Sequence, residues 1–152
     1  MDRLDRKILE CLQDDSSQSV ADIAEHIGLS TTPCWRRIQK LEKSGVIRKR
    51  VALLDRHQLN LGVDVFVAIR TNQHNARWFE DFSAAVDDFP EVVEFYRMSG
   101  DIDYLMRIVV EDIAAFDNFY KRLIERVELS DVSSSFAMEQ IKYTTALPLA
   151  HA

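Results

Sequence analysis

The residues that could do chemistry fall into two groups, and the first is a cluster of basic side chains. Between Ser30 and Arg56 there are eight lysines and arginines and two carboxylates, a local net charge of +6. The whole 152-residue chain carries a net charge of −6. Lysine and arginine supply most of the sequence-independent affinity of proteins for DNA phosphates. A series of basic residues is often simply the solvent-exposed face of a helix. It indicates a polyanion partner only if the secondary structure places these side chains on one surface.

The second group lies in the stretch Met98 to Tyr104, which reads Met-Ser-Gly-Asp-Ile-Asp-Tyr. Ser-Gly-Asp is typical of a hairpin turn, and a turn accounts for Gly100 and Asp101. It does not account for Asp103 or the tyrosine after it. Asp103 can pair with an ammonium group, and backbone N–H groups near Gly100 can hold a carboxylate. These are the two charged ends of a free amino acid, so the stretch is either a plain hairpin or an amino-acid site.

Other chemistries find no support in the sequence. Asp101 and Asp103 have no matched general acid or base beside them, and neither an activated nucleophile nor a glycine-rich phosphate loop is present. Cys11 and Cys34 make no disulfide framework or metal site, although a redox-sensing role for Cys34 stays open. We therefore expect no enzyme, no cofactor and no metal. Because the sequence has no signal peptide and no membrane-length apolar run, we expect a cytoplasmic protein without a membrane partner.

Two short helices joined by a turn are predicted beneath the basic cluster. Ser19 followed three residues later by Asp22 is a capping box, and Gly28 is suited to end that helix. The next helix is capped at Ser30 or Thr32, and its expected apolar stripe is Trp35, Ile38 and Leu41. A preceding helix is predicted over roughly 4–13, with Cys11 on the apolar face that packs into the core. The spacing predicts a helix-turn-helix whose second helix enters a major groove.

The rest of the chain predicts a wing, a hinge and a second domain. Val46 to Leu54 alternates enough to form a basic strand, where a wing would contact phosphates. The polar stretch 55–62 is the expected hinge. Residues 63–152 contain a weak repeat of about forty residues, each copy reading strand, helix, strand, which predicts the βαββαβ arrangement of a ferredoxin-like domain. The expected domains are therefore 1–54 and 63–152. Helices cover one face of such a sheet, and we expect a second copy to cover the other.

These features together resemble the leucine-responsive regulator and asparagine-regulator (Lrp/AsnC) family of transcription factors. The resemblance covers nearly the whole chain. Its specific anchors are Leu4–Leu9, Leu29–Cys34, Arg37–Ile47, Ser99–Tyr104 and Thr144–Leu149. The resemblance implies a fold of the α+β class, with an N-terminal winged helix-turn-helix followed by a ferredoxin-like βαββαβ ligand-sensing domain.

The resemblance also implies partners: double-stranded DNA, an amino-acid effector, and further copies of the chain. Family members dimerise through the sheet, commonly assemble to octamers, and bind amino acids at the contact between neighbouring dimers. On that pattern the effector residues are Met98, Gly100, Asp101, Asp103, Tyr104, Ser133, Ser134, Ser135 and Phe136. Many relatives carry threonine, arginine or tyrosine in the last-strand stretch. Three serines leave more room, so a small polar or sulfur-containing amino acid is as plausible an effector as leucine.

The DNA contacts are expected on the second helix and the basic segment after it. Arg36 and Gln39 are the better candidates for reading base edges, because both side chains can make bidentate contacts. The full predicted set is Ser30, Thr31, Thr32, Arg36, Arg37, Gln39, Lys40, Arg48, Lys49 and Arg50. The sequence thus predicts a transcriptional regulator of amino-acid metabolism. The alternative is an amino-acid-sensing interaction module that does not bind DNA, or an enzyme of amino-acid metabolism on a ferredoxin-like dimer.

Overall fold

The chain divides into two compact units in a computed structural model that describes residues 1–73 and 75–151. One unit contains residues 1–53 together with the C-terminal segment that begins at Ile141, and the other contains residues 54–140. His74 and Ala152, the latter the end of the predicted second domain, lie outside the described residues. No helix among the described residues is long and apolar enough to cross a membrane.

The first unit contains three helices whose starts are fixed by their capping residues. They are α1 (Arg3–Asp14), α2 (Val20–Ile27) and α3 (Thr31–Lys43). Asp2 and Ser19 each make a capping box at the start of α1 and α2. Gly28 ends α2 with φ of 75°, a left-handed conformation that favours glycine. This arrangement confirms the predicted helix-turn-helix.

The core of the first unit lies between the three helices, and one prediction about it is wrong. Cys34, Ile38 and Leu41 are the buried residues of α3, whereas the Trp35 side chain is 51% exposed. The spacing from Cys34 to Ile38 to Leu41 is four residues and then three, which is as helical as the spacing from Trp35. Cys34 is the one of the two that packs in the core, in one buried cluster with residues of α1 and α2. Cys11 is buried, as expected.

The predicted wing strand does not form among the described residues. Residues 46–54 follow an irregular path. Among the described residues, their one hydrogen bond between main-chain groups runs from the Ile47 N–H to the Leu41 carbonyl, at 3.1 Å. Val51 and Leu53 are 57% and 63% exposed. A strand needs a neighbour to pair its backbone groups. Residues 46–53 belong to the first unit, whose described residues contain no strand.

The expected hinge at 55–62 is instead a capped turn that belongs to the second unit. The Asp55 carboxylate accepts the His57 N–H at 2.9 Å, and the Arg56 carbonyl accepts the Leu61 N–H at 2.8 Å. The Arg56 guanidinium forms an ion pair with Asp64 on the neighbouring strand. Polar composition is typical both of a linker and of a capped turn, so composition alone does not predict this ion pair.

The second unit has the βαββαβ order predicted from the repeat. Its elements are β1 (Val63–Arg70), α4 (Ala76–Asp87), β2 (Val92–Arg97), β3 (Tyr104–Val110), α5 (Ile113–Arg126) and β4 (Asp131–Phe136). The strands pair antiparallel in the order β2-β3-β1-β4. This is the ferredoxin-like arrangement.

Strand alternation gives the sheet one buried face and one open face. The buried face packs against α4 and α5 around Val65, Val67, Ile69, Phe82, Met106, Ile108, Phe119 and Leu123. The open face carries the alternate positions of the strands, and its apolar members include Phe66, which is 38% exposed. The predicted uncovered face is therefore present.

The C-terminal segment departs from the predicted domain boundary. It belongs to the first unit, where the Gln13 side chain makes two hydrogen bonds with the main chain of Leu147. The Gln13 amide donates to the Leu147 carbonyl at 3.2 Å, and its oxygen accepts the Leu147 N–H at 2.7 Å. Leu149 packs against the core of the same unit. The repeat ends at Phe136, so periodicity carried no information about where the last residues pack.

Candidate functional site

The outward face of α3 carries half of the ten predicted DNA contacts. With Cys34, Ile38 and Leu41 turned into the core, the helical period turns the positions between them outward. The exposed members are Thr31, Thr32, Arg36, Gln39 and Lys40. Trp35 also lies on this face, 51% exposed, although its spacing predicts a core position.

The start of α3 is open to an anion. Ser30 occupies the N-cap position, but its side chain makes no capping hydrogen bond. The N–H groups of a first helical turn have no partner within the helix, and the helix dipole favours negative charge there. A phosphate oxygen is a suitable partner for these groups and for the Ser30 hydroxyl.

Arg37 faces a different way from its neighbour Arg36. Its Nη1 donates to Asp2 at 2.6 Å and to Asp5 of α1 at 2.7 Å. These hydrogen bonds raise the pKa of Arg37. The pKa of Asp2 is lowered, first by the Asp5 N–H bonded to its carboxylate and then by Arg37. Arg37 therefore fastens α3 to α1, a role that competes with the predicted DNA contact.

A carboxylate links two of the other predicted contacts. Glu42 accepts a hydrogen bond from the Gln39 amide at 2.9 Å and one from the Arg50 guanidinium at 3.1 Å. Gln39 is therefore oriented along α3, and Arg50 is held against the end of that helix. Arg48 and Lys49 are exposed in the irregular segment just before Arg50.

The loop between β2 and β3 is held by hydrogen bonds to the end of β1. The Asp103 N–H donates to the Ile69 carbonyl at 2.9 Å, and the Asp103 carboxylate accepts the Thr71 N–H at 2.8 Å. The Asp103 carbonyl accepts the Met98 N–H at 2.8 Å and closes the loop. One carboxylate oxygen of Asp103 is thus bonded to the main chain, and the other has no hydrogen-bond partner among the described residues. A carboxylate can accept at both oxygens, so the predicted pairing with an ammonium group stays a prediction.

Tyr104 is a core residue rather than a surface residue of the loop. It is 6% exposed, and its ring packs between helix and strand aromatics. Ring centroids lie 5.3 Å from Phe82, 5.7 Å from Phe95 and 5.8 Å from Trp78. Its position first on β3, opposite Ile69, turns it toward the helices. Met98, Gly100 and Asp101 remain exposed.

The predicted residues of the last strand divide between the two faces of the sheet. Ser133 and Ser135 pair with Ala68 and Phe66 and share the open face. Ser134 and Phe136 lie on the helix side, where the Phe136 ring centroid is 5.3 Å from that of Phe116. The four residues therefore do not form one surface within a single chain.

Arg70 is the residue of this region that sequence reasoning missed as a site residue. Its Nε donates to the Asp101 carbonyl at 2.6 Å, and its Nη1 lies 3.4 Å from the Asp131 carboxylate. Arg70 therefore connects the end of β1 with the loop and with the start of β4. No local sequence pattern indicates this contact, because Arg70 and Asp101 lie 31 residues apart along the chain.

A chain of charged groups crosses the open face of the sheet. The buried Asp64 carboxylate accepts from Arg56 and from Arg107, the latter at 3.0 Å. Arg107 also donates to Glu94 at 2.8 Å, and the Tyr96 hydroxyl donates to Glu94 at 2.9 Å. The Arg107 hydrogen bond holds the pKa of Glu94 below its usual value. The groups satisfy one another, so they leave no uncompensated charge on this face.

A helix-turn-helix unit with an exposed basic helix, joined to a ferredoxin-like sheet unit, defines a DNA-binding regulator with a ligand-binding domain. The comparison with known proteins agrees. Residues 1–48 match the winged helix-turn-helix DNA-binding family, and residues 64–147 match the Lrp/AsnC ligand binding domain. The chain belongs to the Lrp/AsnC family of transcriptional regulators.

Three relatives illustrate the match. The DNA-binding transcriptional activator DecR of Escherichia coli (strain K12) is 50% identical over 150 residues, which cover 98% of this chain and 99% of DecR. The crystal structure of an AsnC family regulator from Agrobacterium tumefaciens is 68% identical with a TM-score of 0.96, covering 98% of this chain and 97% of that one. A Neisseria meningitidis regulator in complex with L-methionine is 36% identical with a TM-score of 0.94, covering 99% and 98%.

Proposed function

We propose that this regulator binds DNA through the outward face of α3 and that a free amino acid bound at the 98–103 loop changes its DNA affinity. The observation that carries the DNA arm is the division of α3 into two faces. Cys34, Ile38 and Leu41 are buried, and a row of polar and basic side chains is left exposed. Arg36 and Gln39 read base edges, while Ser30, Thr31, Thr32 and Lys40 contact the backbone.

The basic segment after α3 supplies sequence-independent affinity. Arg48, Lys49 and Arg50 are exposed and lie within eight residues of the end of the helix. Each phosphate contact that is lost weakens binding to all sequences and lowers the steepness of the salt dependence. Arg37 takes no part in this proposal, because its guanidinium is bonded to α1.

The effector arm rests on free backbone donors in the loop. The N–H groups of Gly100, Asp101 and Ile102 bond to no acceptor among the described residues. Consecutive N–H groups of this kind form an anion-binding concavity, and a free amino acid carries a carboxylate. A similar regulator was crystallised with L-methionine. We take the effector to be a small amino acid, with methionine the first candidate.

Self-association completes the proposed site. Phe66 on β1 and Tyr96 on the edge strand β2 are 38% and 50% exposed, and a second copy of the sheet is the partner that covers them. In this proposal dimers assemble further, to octamers, and the effector lies at the contact between dimers. Ser133 and Ser135 of a neighbouring chain would then face the loop. Effector binding changes DNA affinity by about 1–3 kcal/mol, the usual size of such a coupling.

Gel shifts on a cognate and a scrambled duplex test the DNA arm. Arg36→Ala should reduce the preference for the cognate duplex, because it removes a base contact. Lys49→Ala should weaken binding to both duplexes equally and reduce the salt slope by about 1. The same experiment with each of the twenty common amino acids at millimolar concentration tests the switch. Identical behaviour of the two variants contradicts the DNA arm, and indifference to all amino acids contradicts the effector arm.

A further inference from the structure

Arg70 ends β1 at the place where the 98–103 loop returns to the sheet. Its Nε donates to the main-chain carbonyl of Asp101 at 2.6 Å, a short charge-assisted hydrogen bond. That carbonyl belongs to the same rigid, planar peptide group as the N–H of Ile102. A guanidinium that fixes the direction of the carbonyl therefore also fixes the direction of the N–H, which points the opposite way.

The bond matters because this part of the loop has little else to hold it. Gly100 has φ of +124°, a conformation accessible to few residues other than glycine. The loop is closed at its base by the Met98 and Asp103 main chains. From Ser99 to Ile102, no hydrogen bond between two main-chain groups ties it to the other described residues. Asp101 is exposed. The Arg70 side chain is the contact that restrains the tip.

We propose that Arg70 is a positioning residue for effector binding: by holding the Asp101 carbonyl it aims the free N–H of Ile102 at the effector carboxylate. The proposal rests on the proposed function, which places an amino acid at this loop. Arg70 acts through the loop main chain and makes no contact with the effector itself. Pre-organised donors bind an anion more tightly than donors that must first be ordered.

The Asp131 contact is not the part of the arrangement that matters. The Arg70–Asp131 pair is 3.4 Å apart, and both side chains are more than half exposed. Exposed pairs of this kind contribute little. Arg70→Ala removes the hydrogen bond to the loop, whereas Asp131→Asn leaves that bond in place. Only the first change should therefore weaken effector binding.

The test compares effector affinity in the full chain and its variants by isothermal titration calorimetry. The twenty common L-amino acids are first screened for thermal stabilisation, and the strongest responder is titrated as the free acid and as its amide. The amide lacks the carboxylate charge, so the ratio of the two affinities reports on the carboxylate site. The variants are Arg70→Ala, Arg70→Lys and Asp131→Asn, with Arg77→Ala as a charge-matched control on the exposed surface of α4.

Arg70→Ala is expected to lower the affinity for the free amino acid by about 10-fold or more, which corresponds to the loss of one hydrogen bond to a charged group. It should affect the amide much less, so the acid-to-amide ratio falls. Arg70→Lys should recover part of the loss, because one ammonium donor can still reach the carbonyl. Asp131→Asn and Arg77→Ala should bind like the wild type.

Three results overturn the proposal. If Arg70→Ala binds the acid as well as the wild type does, the effector site stands but Arg70 does not position it. If Arg70→Ala loses affinity equally for the free acid and the amide, and also melts at a lower temperature, Arg70 has only a structural role. If no amino acid stabilises the wild type, both the effector site and the role of Arg70 are wrong.

Discussion

Arg36 and Arg37 are adjacent, yet the structure assigns them separable roles, and replacing each by alanine should show this. Arg37 donates to Asp2 and to Asp5, and the Asp5 side chain is only 11% exposed. Removing the guanidinium leaves that carboxylate largely buried and short of a donor. Its remaining contact is the Asp2 N–H at 3.2 Å. Arg36 is exposed and lies outside the ion pairs of the described residues.

The expected cost follows from burial. An exposed ion pair contributes about 0–1 kcal/mol, and an unsatisfied buried acceptor costs about 1–3 kcal/mol. The Arg37 pair lies between these cases, because its own side chain is 30% exposed. Arg37→Ala should therefore destabilise the first unit by about 1–2 kcal/mol. For a unit of 60–100 residues each kcal/mol lowers the melting temperature by about 4–8 °C. Arg36→Ala should stay within about 0.5 kcal/mol of the wild type.

The assay pairs thermal unfolding, followed by circular dichroism, with gel shifts on cognate and scrambled DNA at a temperature where all variants are folded. Arg37→Ala should melt lower while keeping its preference for the cognate duplex. Arg36→Ala should melt normally and lose part of that preference. The reasoning is refuted if Arg36→Ala unfolds as early as Arg37→Ala, or if Arg37→Ala is as stable as the wild type but loses sequence preference.

Three further predictions concern buried, titrating and tail groups. Burial raises the pKa of both Cys11 and Cys34, so neither thiol should react with a disulfide reagent at pH 7 until denaturant is added; rapid labelling of the folded chain would contradict this and favour a redox role. Arg107 lowers the pKa of Glu94 from 4.5. The ionised carboxylate therefore stabilises the sheet unit at every pH above the pKa that Glu94 has in the unfolded chain. That contribution is lost as the pH falls through the lower pKa of the folded state. Glu94→Gln should therefore be less stable than the wild type at pH 7 and equally stable in strong acid, as measured by urea unfolding; a difference independent of pH would disprove the ion pair. Gln13→Ala removes both hydrogen bonds to the C-terminal segment, so trypsin should cleave after Lys142 several-fold faster, and an unchanged rate would show that Leu149 alone holds the segment.

The helices and the sheet could be predicted because their signals are local. The capping boxes at Asp2 and Ser19 and the left-handed glycine at position 28 are set by neighbours three or four residues away. The two strand–helix–strand repeats each bury one face by simple alternation. The repeat therefore predicts four strands and two helices in the order in which the structure has them.

Other features depend on groups distant in the chain. Trp35 and Cys34 both fit a helical stripe, and only the cysteine packs in the buried cluster with residues of α1 and α2. Residues 46–54 have a strand pattern, but the first unit, which holds residues 46–53, has no strand among its described residues to pair with them. The bond from Arg70 to Asp101 spans 31 residues and those from Gln13 to Leu147 span 134. No local pattern encodes contacts of that kind.

The two arginines illustrate why residue type alone assigns a site only in part. Arg36 and Arg37 carry the same charge and differ by about 100° around the axis of α3, the rotation per residue of an α-helix. That rotation turns Arg37 toward two carboxylates of α1 and leaves Arg36 facing outward. Asp103 and Asp101 differ in the same way, since only the first is bonded to the end of β1 through its carboxylate. In each pair one side chain, Arg37 or Asp103, is bonded within the protein and stabilises the element that carries its neighbour. The neighbour, Arg36 or Asp101, is left exposed.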